Sequence, residues 1–352
     1  MTFFGRFELQ DEGTAFVDAL QQRTSPFGSL QFYGSPFNDP NLERLLQLEN
    51  TFQRLSPLGL DPKFNRLALS TKVNALDYKF CVKHFQLNDF DTLSIATKDL
   101  SVDLYIGKED PWKEILIAFF HRLSALGHLE KFNLKTSCSD FYFKPSPGEC
   151  VVPVVDALIR AVTANQKLSC LNLSSAYWIE DHLPNIVKAL EDHEGIRHLI
   201  VSSYPVEKDS WGRTSCPSLM RLLERNPNIR VLDSCGNLIT DGSNRMLLLY
   251  FRNFSYQDSL SFMKEPTTVR PFVVAYTLMG FAFAQFPLIT TLLSHHTDLL
   301  CEFIEAPSQD NVGGNKDTVA RPSPQPNSRL KRKRTRQAPR ATKKAHEFGC
   351  DD

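Results

Sequence analysis

Residues Leu158–Leu173 read LIRAVTANQKLSCLNL, and three other stretches align with them without a gap. These are FFHRLSALGHLEKFNL at Phe119–Leu134, IVKALEDHEGIRHLIV at Ile186–Val201 and LMRLLERNPNIRVLDS at Leu219–Ser234. Counted from the first residue of each, apolar side chains fall at offsets 0, 4, 10 and 13, and in three of the four also at 15. Ser234 is the departure. Offsets 0 and 4 share one face of a helix. A short polar break follows, such as Asn165-Gln166-Lys167, Glu194-Gly195 or Asn226-Pro227-Asn228. Then comes L-x-x-L-x-L, whose last two apolar residues alternate as a strand does. A helix that turns back into a short strand cannot bury its apolar face alone; stacked copies can.

The strand signature recurs upstream at Phe27/Leu30/Phe32 with one spacing stretched, at Phe64/Leu67/Leu69 and at Phe90/Leu93/Ile95. Strands are therefore expected near residues 30, 67, 93, 132, 171, 199 and 232. They should form one parallel sheet in sequential order, because each unit touches only its neighbours. Some units exceed the usual length of about 20–29 residues, and Phe141–Glu149 and Pro205–Ser215 read as inserted loops.

The units resemble the helix-bearing repeats of the ribonuclease-inhibitor-like leucine-rich-repeat family, over about Phe16 to Leu238. The Asn or Cys that usually follows the strand in that family is missing from most units; Ser137-Cys138, Ser174-Ser175, Ser202-Ser203 and Ser234-Cys235 stand there instead. The resemblance implies an α/β solenoid with a parallel sheet on the concave side and helices on the convex side. The expected organisation is an array of about seven units at 1–240, a helical C-terminal cap at 241–305 and a disordered basic tail at 306–352. Asp241-Gly242-Ser243 reads as the start of the cap. At the amino end, either Phe3, Phe4 and Phe7 cover the core or something precedes them.

In such a solenoid the residues between the apolar strand positions face the concave side. The candidates for partner binding are Gln31, Tyr33, Arg66, Ser94, Lys131, Asn133, Lys135, Asn172, Ser174, His198 and Asp233. Binding hot spots favour Trp, Tyr and Arg, so Trp112, Tyr177, Trp178 and Trp211 in the loops are alternative anchors at the rim.

Formal net charge is zero by cancellation. Residues 329–344 hold nine Lys and Arg and no acid, leaving 31 basic against 40 acidic residues elsewhere. The tail is poor in aliphatics and rich in Pro, Ser and Asn, so it cannot offset the entropy of ordering. Within it, Arg329, Lys331, Arg332, Lys333, Arg334 and Arg336, with Arg340, Lys343 and Lys344, form the pattern read by a nuclear import receptor. Nonspecific contact with nucleic acid, or no role, are the other readings of this run. Met1–Leu20 carries acids where a signal peptide is apolar, which points to a nuclear or cytoplasmic protein, not a secreted one. The eight Cys should then be reduced.

Pro271–Leu293 has 23 residues without a charge, long enough to span a bilayer as a helix. Pro287 divides it, and the favoured reading is a pair of buried capping helices. The nearest approach to a catalytic motif is His193-Glu194-Gly195-Ile196-Arg197-His198. A zinc-protease helix needs two residues between the Glu and the second His; here there are three, and Gly195 lies in the helix-to-strand break. The cysteines are too scattered for a metal site, and no nucleotide-binding glycine loop or nucleophile elbow occurs. The sequence thus points to a non-catalytic protein–protein interaction scaffold, without cofactor or metal, whose partner is another protein. The alternative is a membrane-anchored, receptor-like leucine-rich-repeat protein using 271–293 as its span.

Overall fold

The computed structural model describes residues 1–3, 9–107, 109–138, 143, 145, 150–205, 207–208, 214–243, 245–247, 249, 250 and 253. In chain order the elements are β1 (Thr2–Phe3), α1 (Thr14–Gln21), β2 (Ser29–Tyr33), α2 (Asp39–Leu46), β3 (Arg54–Leu58), α3 (Asn65–Leu69), β4 (Ala75–Cys81) and β5 (Asp99–Tyr105). There follow α4 (Trp112–Leu126), β6 (Lys131–Ser137), α5 (Val152–Ala164), β7 (Cys170–Ser175), α6 (Leu183–Ala189) and β8 (His198–Ile200). A small hairpin, β9 (Glu207–Lys208) with β10 (Thr214–Ser215), precedes α7 (Pro217–Arg225) and β11 (Arg230–Leu232).

Nine strands form one sheet in the order β1-β2-β3-β4-β5-β6-β7-β8-β11, and every pairing in it is parallel. Consecutive helices touch, α1 with α2, α2 with α3, α4 with α5, α5 with α6 and α6 with α7. Sequential parallel strands with returning helices fit a solenoid-like α/β fold.

The register explains why this sheet coheres. Leu30, Leu55, Leu76, Leu100, Phe132, Leu171, Leu199 and Val231 stand opposite one another across eight successive strands. All eight are buried. Because side chains alternate faces along a strand, their flanking residues point the other way and are mostly half-exposed. The helix positions at offsets 0 and 4 of the four aligned units, Phe119/Leu123, Leu158/Val162, Ile186/Leu190 and Leu219/Leu223, are buried against that row. α4 stops at Gly127, whose φ of 64° is the left-handed cap that ends helices.

Two expected strands are not where the spacing put them. Phe64, Leu67 and Leu69 belong to a 3-10 turn and α3, because Asp61 caps Lys63 N–H and Pro62 opens the helix. Tyr78 of β4 then donates to Asn65 Oδ1 at 2.6 Å and fixes α3 against the sheet. Phe90, Leu93 and Ile95 follow a 3-10 turn at Leu87–Asp89, where the Asp89 side chain accepts the Gln86 N–H. The true strands here are β3, β4 and β5. In β4 and β5, Leu76/Tyr78/Phe80 and Leu100/Val102/Leu104 alternate strictly with less buried residues. The β3–β4 ladder stops after Leu55, one step before Ser56-Pro57, in keeping with a proline that has no N–H to give. The array thus has eight strands after β1, more than the seven expected.

The fourth aligned unit is also shifted. Val231, not Leu232, lies opposite Leu199 and is buried, whereas Leu232 pairs with Ile200 and is half-exposed. The turn from Ile229 into β11 is one residue shorter than in the preceding units.

A second, polar row ties unit to unit. The last carbonyls of a helix lack intrahelical partners, and here a buried side chain of the following unit reaches back to them. Asn165 donates to Leu123 O (3.1 Å) and Ala161 O (2.7 Å) and accepts the Leu129 N–H (2.9 Å). His193 Nδ1 accepts the Ile196 N–H at 3.1 Å, so its proton is on Nε2, directed at Val162 O (3.3 Å) and Asn165 O (3.2 Å). Asn226 donates to Leu190 O (3.3 Å) and His193 O (3.0 Å), and Asn253 to Leu223 O (3.0 Å). Asn165, His193 and Asn226 all occupy offset 7 of their units. Met246, Tyr250 and Asn253 repeat the same 0, 4, 7 spacing and are buried, so the described helical residues 245–247, 249, 250 and 253 continue the pattern. Ser243 caps them by accepting the Met246 N–H, as the Asp241-Gly242-Ser243 signal suggested.

At the amino end, β1 extends the sheet and the Phe3 ring packs edge-on against Phe16 at 5.9 Å. Phe4 and Phe7, residues 254–305 of the expected cap and the whole of 306–352 lie outside the described residues. No helix among the described residues is long and apolar enough to cross a membrane; Pro271–Leu293 is not among them.

Candidate interaction face

The side chains flanking the buried row form two rows on the other face of the sheet. The first runs Ser29, Arg54, Ala75, Asp99, Lys131, Cys170, His198, Arg230, and the second includes Gln31, Ser56, Asp77, Ser101, Asn133, Asn172, Ile200 and Leu232. Tyr33, Lys79, Asp103 and Lys135 follow two residues further along their strands, Tyr33 being 56% exposed.

Of the residues expected on this face, Gln31, Tyr33, Lys131, Asn133, Lys135, Asn172 and His198 are there. Arg66 is not; it sits on α3 and donates to Thr92 Oγ1 at 2.9 Å. Ser94 lies in the loop before β5. Both placements fail with the misread strands. Ser174 falls in an irregularity of β7, bonded to Asn172 Oδ1, so that Ser175 takes the position opposite Lys135. Asp233 lies one residue past β11 and is committed to a turn. Its carboxylate accepts from the Asn237 side chain and the Cys235 and Asn237 amides, which hold it below the usual carboxylate range. The shortened turn into β11 puts Val231 inside and Arg230 on the face, opposite His198.

The rim tryptophans are core. Trp112 and Trp178 are buried and meet edge-on at 5.6 Å, with Phe143 packed 4.9 Å from Trp112. Trp211 is outside the described residues.

Charge divides the face. On β3 to β5 it neutralises itself: the Arg54 guanidinium grips both oxygens of Asp77 (2.9 and 2.8 Å) and reaches Asp99 (3.1 Å), while Ser56 donates to Asp77. Hydrogen bonding to Asp77 raises the Arg54 pKa above its ordinary value. Lys79 lies 3.7 Å from Asp103, to which Ser137 also donates. From β6 to β11 the cations in these rows are Lys131, Lys135 and Arg230, with His198 beside Arg230. Lys131 is 3.9 Å from Asp99, which is already bound to Arg54. Burial lowers the His198 pKa, and the positive charges of Arg230 and Arg197 push it the same way.

No family model, curated protein or solved structure matches the chain.

The residues of the face must therefore speak for it. Cys170 and His198 stand opposite each other on β7 and β8, a combination that elsewhere makes a nucleophile. Their environments run against that use: a reactive thiol needs a lowered pKa, and burial raises that of Cys170. Among the described residues no three His, Cys, Asp or Glu side chains gather into a metal-binding group, and His193 is occupied by backbone partners.

Proposed function

We propose that the chain is a divergent leucine-rich-repeat protein of the ribonuclease-inhibitor-like type, acting as a non-catalytic protein–protein interaction scaffold. One observation carries the reading. The sheet buries its apolar side chains on one face, one row of them unbroken across eight strands, and its other face bears mostly half-exposed polar and charged residues on the same strands. A broad, polar, regularly spaced surface suits recognition of another macromolecule. The basic run from Arg329 to Lys344 supports delivery to the nucleus by an import receptor through charge-assisted contacts.

The test is capture of partners by the tagged full-length chain in cells. Gln31, Ser101 and Asn172, spread over the face, are changed together to Arg; Lys167 and Lys188, exposed in the turn and on α6, are changed to Glu as the control. The face variant should lose the partners that the control keeps. Equal capture by both would remove the face from the account. The same tagged chain should accumulate in nuclei and spread evenly when Lys331, Arg332, Lys333 and Arg334 become Ala. Even spreading of the unmutated chain would leave the tail without an address.

A further inference from the structure

We infer that the groove between α4 and the β4–β5 crossover, on the helical side of the sheet, is the docking place of an amphipathic helix of a partner. That helix carries Lys or Arg beside its apolar stripe. The inference goes beyond the scaffold reading, since it concerns a second surface away from the open sheet face.

The groove exists because one helix is missing from the layer. Seven of the eight crossovers in the nine-stranded sheet carry an α-helix, but the one from β4 to β5 carries two 3-10 turns, Val82–His84 and Leu87–Asp89. α4 therefore packs on α5 along one side and meets those turns on the other. Close to the sheet the space is filled by rings. Phe90 stacks on Phe85 at 5.1 Å and meets Phe119 of α4 edge-on at 5.8 Å. Further out a groove of about 510 Å³ remains.

Much of its lining is apolar. Phe90, Ile117 and Ala118 line it, and Leu87 stands in it with 49% of its surface exposed. α4 borders it from Glu114 to Ala125, a rise of about 16 Å at about 1.5 Å per residue. That length suits a helix of about three turns laid beside α4, its apolar side chains taking the place of the absent layer helix. An extended strand is the poorer occupant, because walls made of a helix and turns offer no sheet edge to pair with.

Charge selects the kind of helix. Asp91 on the crossover wall and Glu114 on the α4 wall are exposed, and among the described residues neither carboxylate has a hydrogen bond or an ion pair. An incoming Lys or Arg thus meets carboxylates that have no partner to give up. The cation in the groove, Arg122, lies about two turns beyond Glu114, and its Nε donates to the Leu93 carbonyl oxygen. A nucleic acid meets the two acids as repulsion.

The experiment adds a fluorescent helical peptide of Leu, Ala and Lys, its leucines on one face, to the full-length protein and follows anisotropy. Beside it stand a peptide of the same composition with leucines spread around the helix, and one with Glu in place of Lys. The first should bind and the other two should not. Leu87→Asp should weaken binding about tenfold or more through lost apolar contact, and Asp91→Lys with Glu114→Lys should do so through lost complementary charge. Asp156→Lys with Glu194→Lys, exposed acids elsewhere, should leave it unchanged, and so should the three-site variant of the sheet face. No binding, equal binding of the spread-leucine peptide, or an equal loss in the Asp156 and Glu194 variant would overturn the assignment. Loss in the sheet-face variant would place the peptide on that face and overturn it too. Capture of the natural partner by the sheet-face variant bears on the scaffold reading alone, so the two failures are told apart.

Discussion

Leu171→Ala is expected to cost about 2–5 kcal/mol of stability, the range for deleting a fully buried leucine side chain. Leu171 is inaccessible to solvent and stands in register between Phe132 of β6 and Leu199 of β8. Truncation removes apolar area from the core and leaves a cavity at two unit interfaces at once. Neither neighbour can collapse into it without shifting its own pairing, which is why the upper part of the range applies. Leu199→Ala, flanked in the same way by Leu171 and Val231, should cost a similar amount. The check is urea unfolding followed by far-ultraviolet circular dichroism, with the midpoint shift converted through the slope. A cost below about 1 kcal/mol, the level of an ordinary surface change, would mean that these side chains do not lie in a packed row.

Gly195→Ala should be as damaging although it adds only one carbon. A Cβ built at Gly195 meets the Gln166 carbonyl oxygen at 2.1 Å and the Leu168 carbonyl oxygen at 3.1 Å. Both are backbone atoms of the preceding unit, so no side chain can rotate away. Relief requires moving the β8 entry off β7, where Arg197 N–H and His198 N–H donate to Ser169 O at 2.8 and 3.0 Å. A cost of about 3 kcal/mol or more is expected, at the severe end of overpacking. The other aligned units carry His128, Lys167 and Asn228 at this offset, so Lys167→Ala is the control and should change little. Equal stability of Gly195→Ala and the parent would show that the two units do not approach as described.

The four ungapped units were legible because their apolar offsets coincide with burial: the residues at 0, 4 and 10 are all inside. Their polar offset 7 carried a signal that apolar counting passes over. Asn165, His193 and Asn226 recur at one position because each must satisfy carbonyls of the helix before it. The first half of the array was harder. Apolar residues at spacings 3 and 2 suit one turn of helix as well as a strand, so Phe64/Leu67/Leu69 deceived, although Asp61-Pro62 signalled a helix start. The strict alternation of Leu76, Tyr78 and Phe80 in β4, and of Leu100, Val102 and Leu104 in β5, marked the strands. With those strands misplaced, Arg54, Asp77, Lys79, Asp99 and Asp103 could not be seen as neighbours on one face. Trp112 and Trp178 were misjudged for a different reason: Trp112 is the first residue of α4 and Trp178 lies in the 3-10 segment before α6, and both rings turn inward to pack on each other.

Sequential stacking that leaves one sheet face open is the claim from which the rest follows, and electron-spin distances test it directly. Gln31 is paired in turn with Asn133, Asn172 and Ile200, in a background lacking reactive cysteines, with a spin label at each. Four, five and six strand steps separate these pairs. At about 4.8 Å per step the distances along the sheet are about 19, 24 and 29 Å, somewhat shortened by any bend. Distances that lengthen in that order are predicted. A third distance equal to or shorter than the first would mean that the sheet closes on itself or that its strands are ordered differently, and would contradict the account.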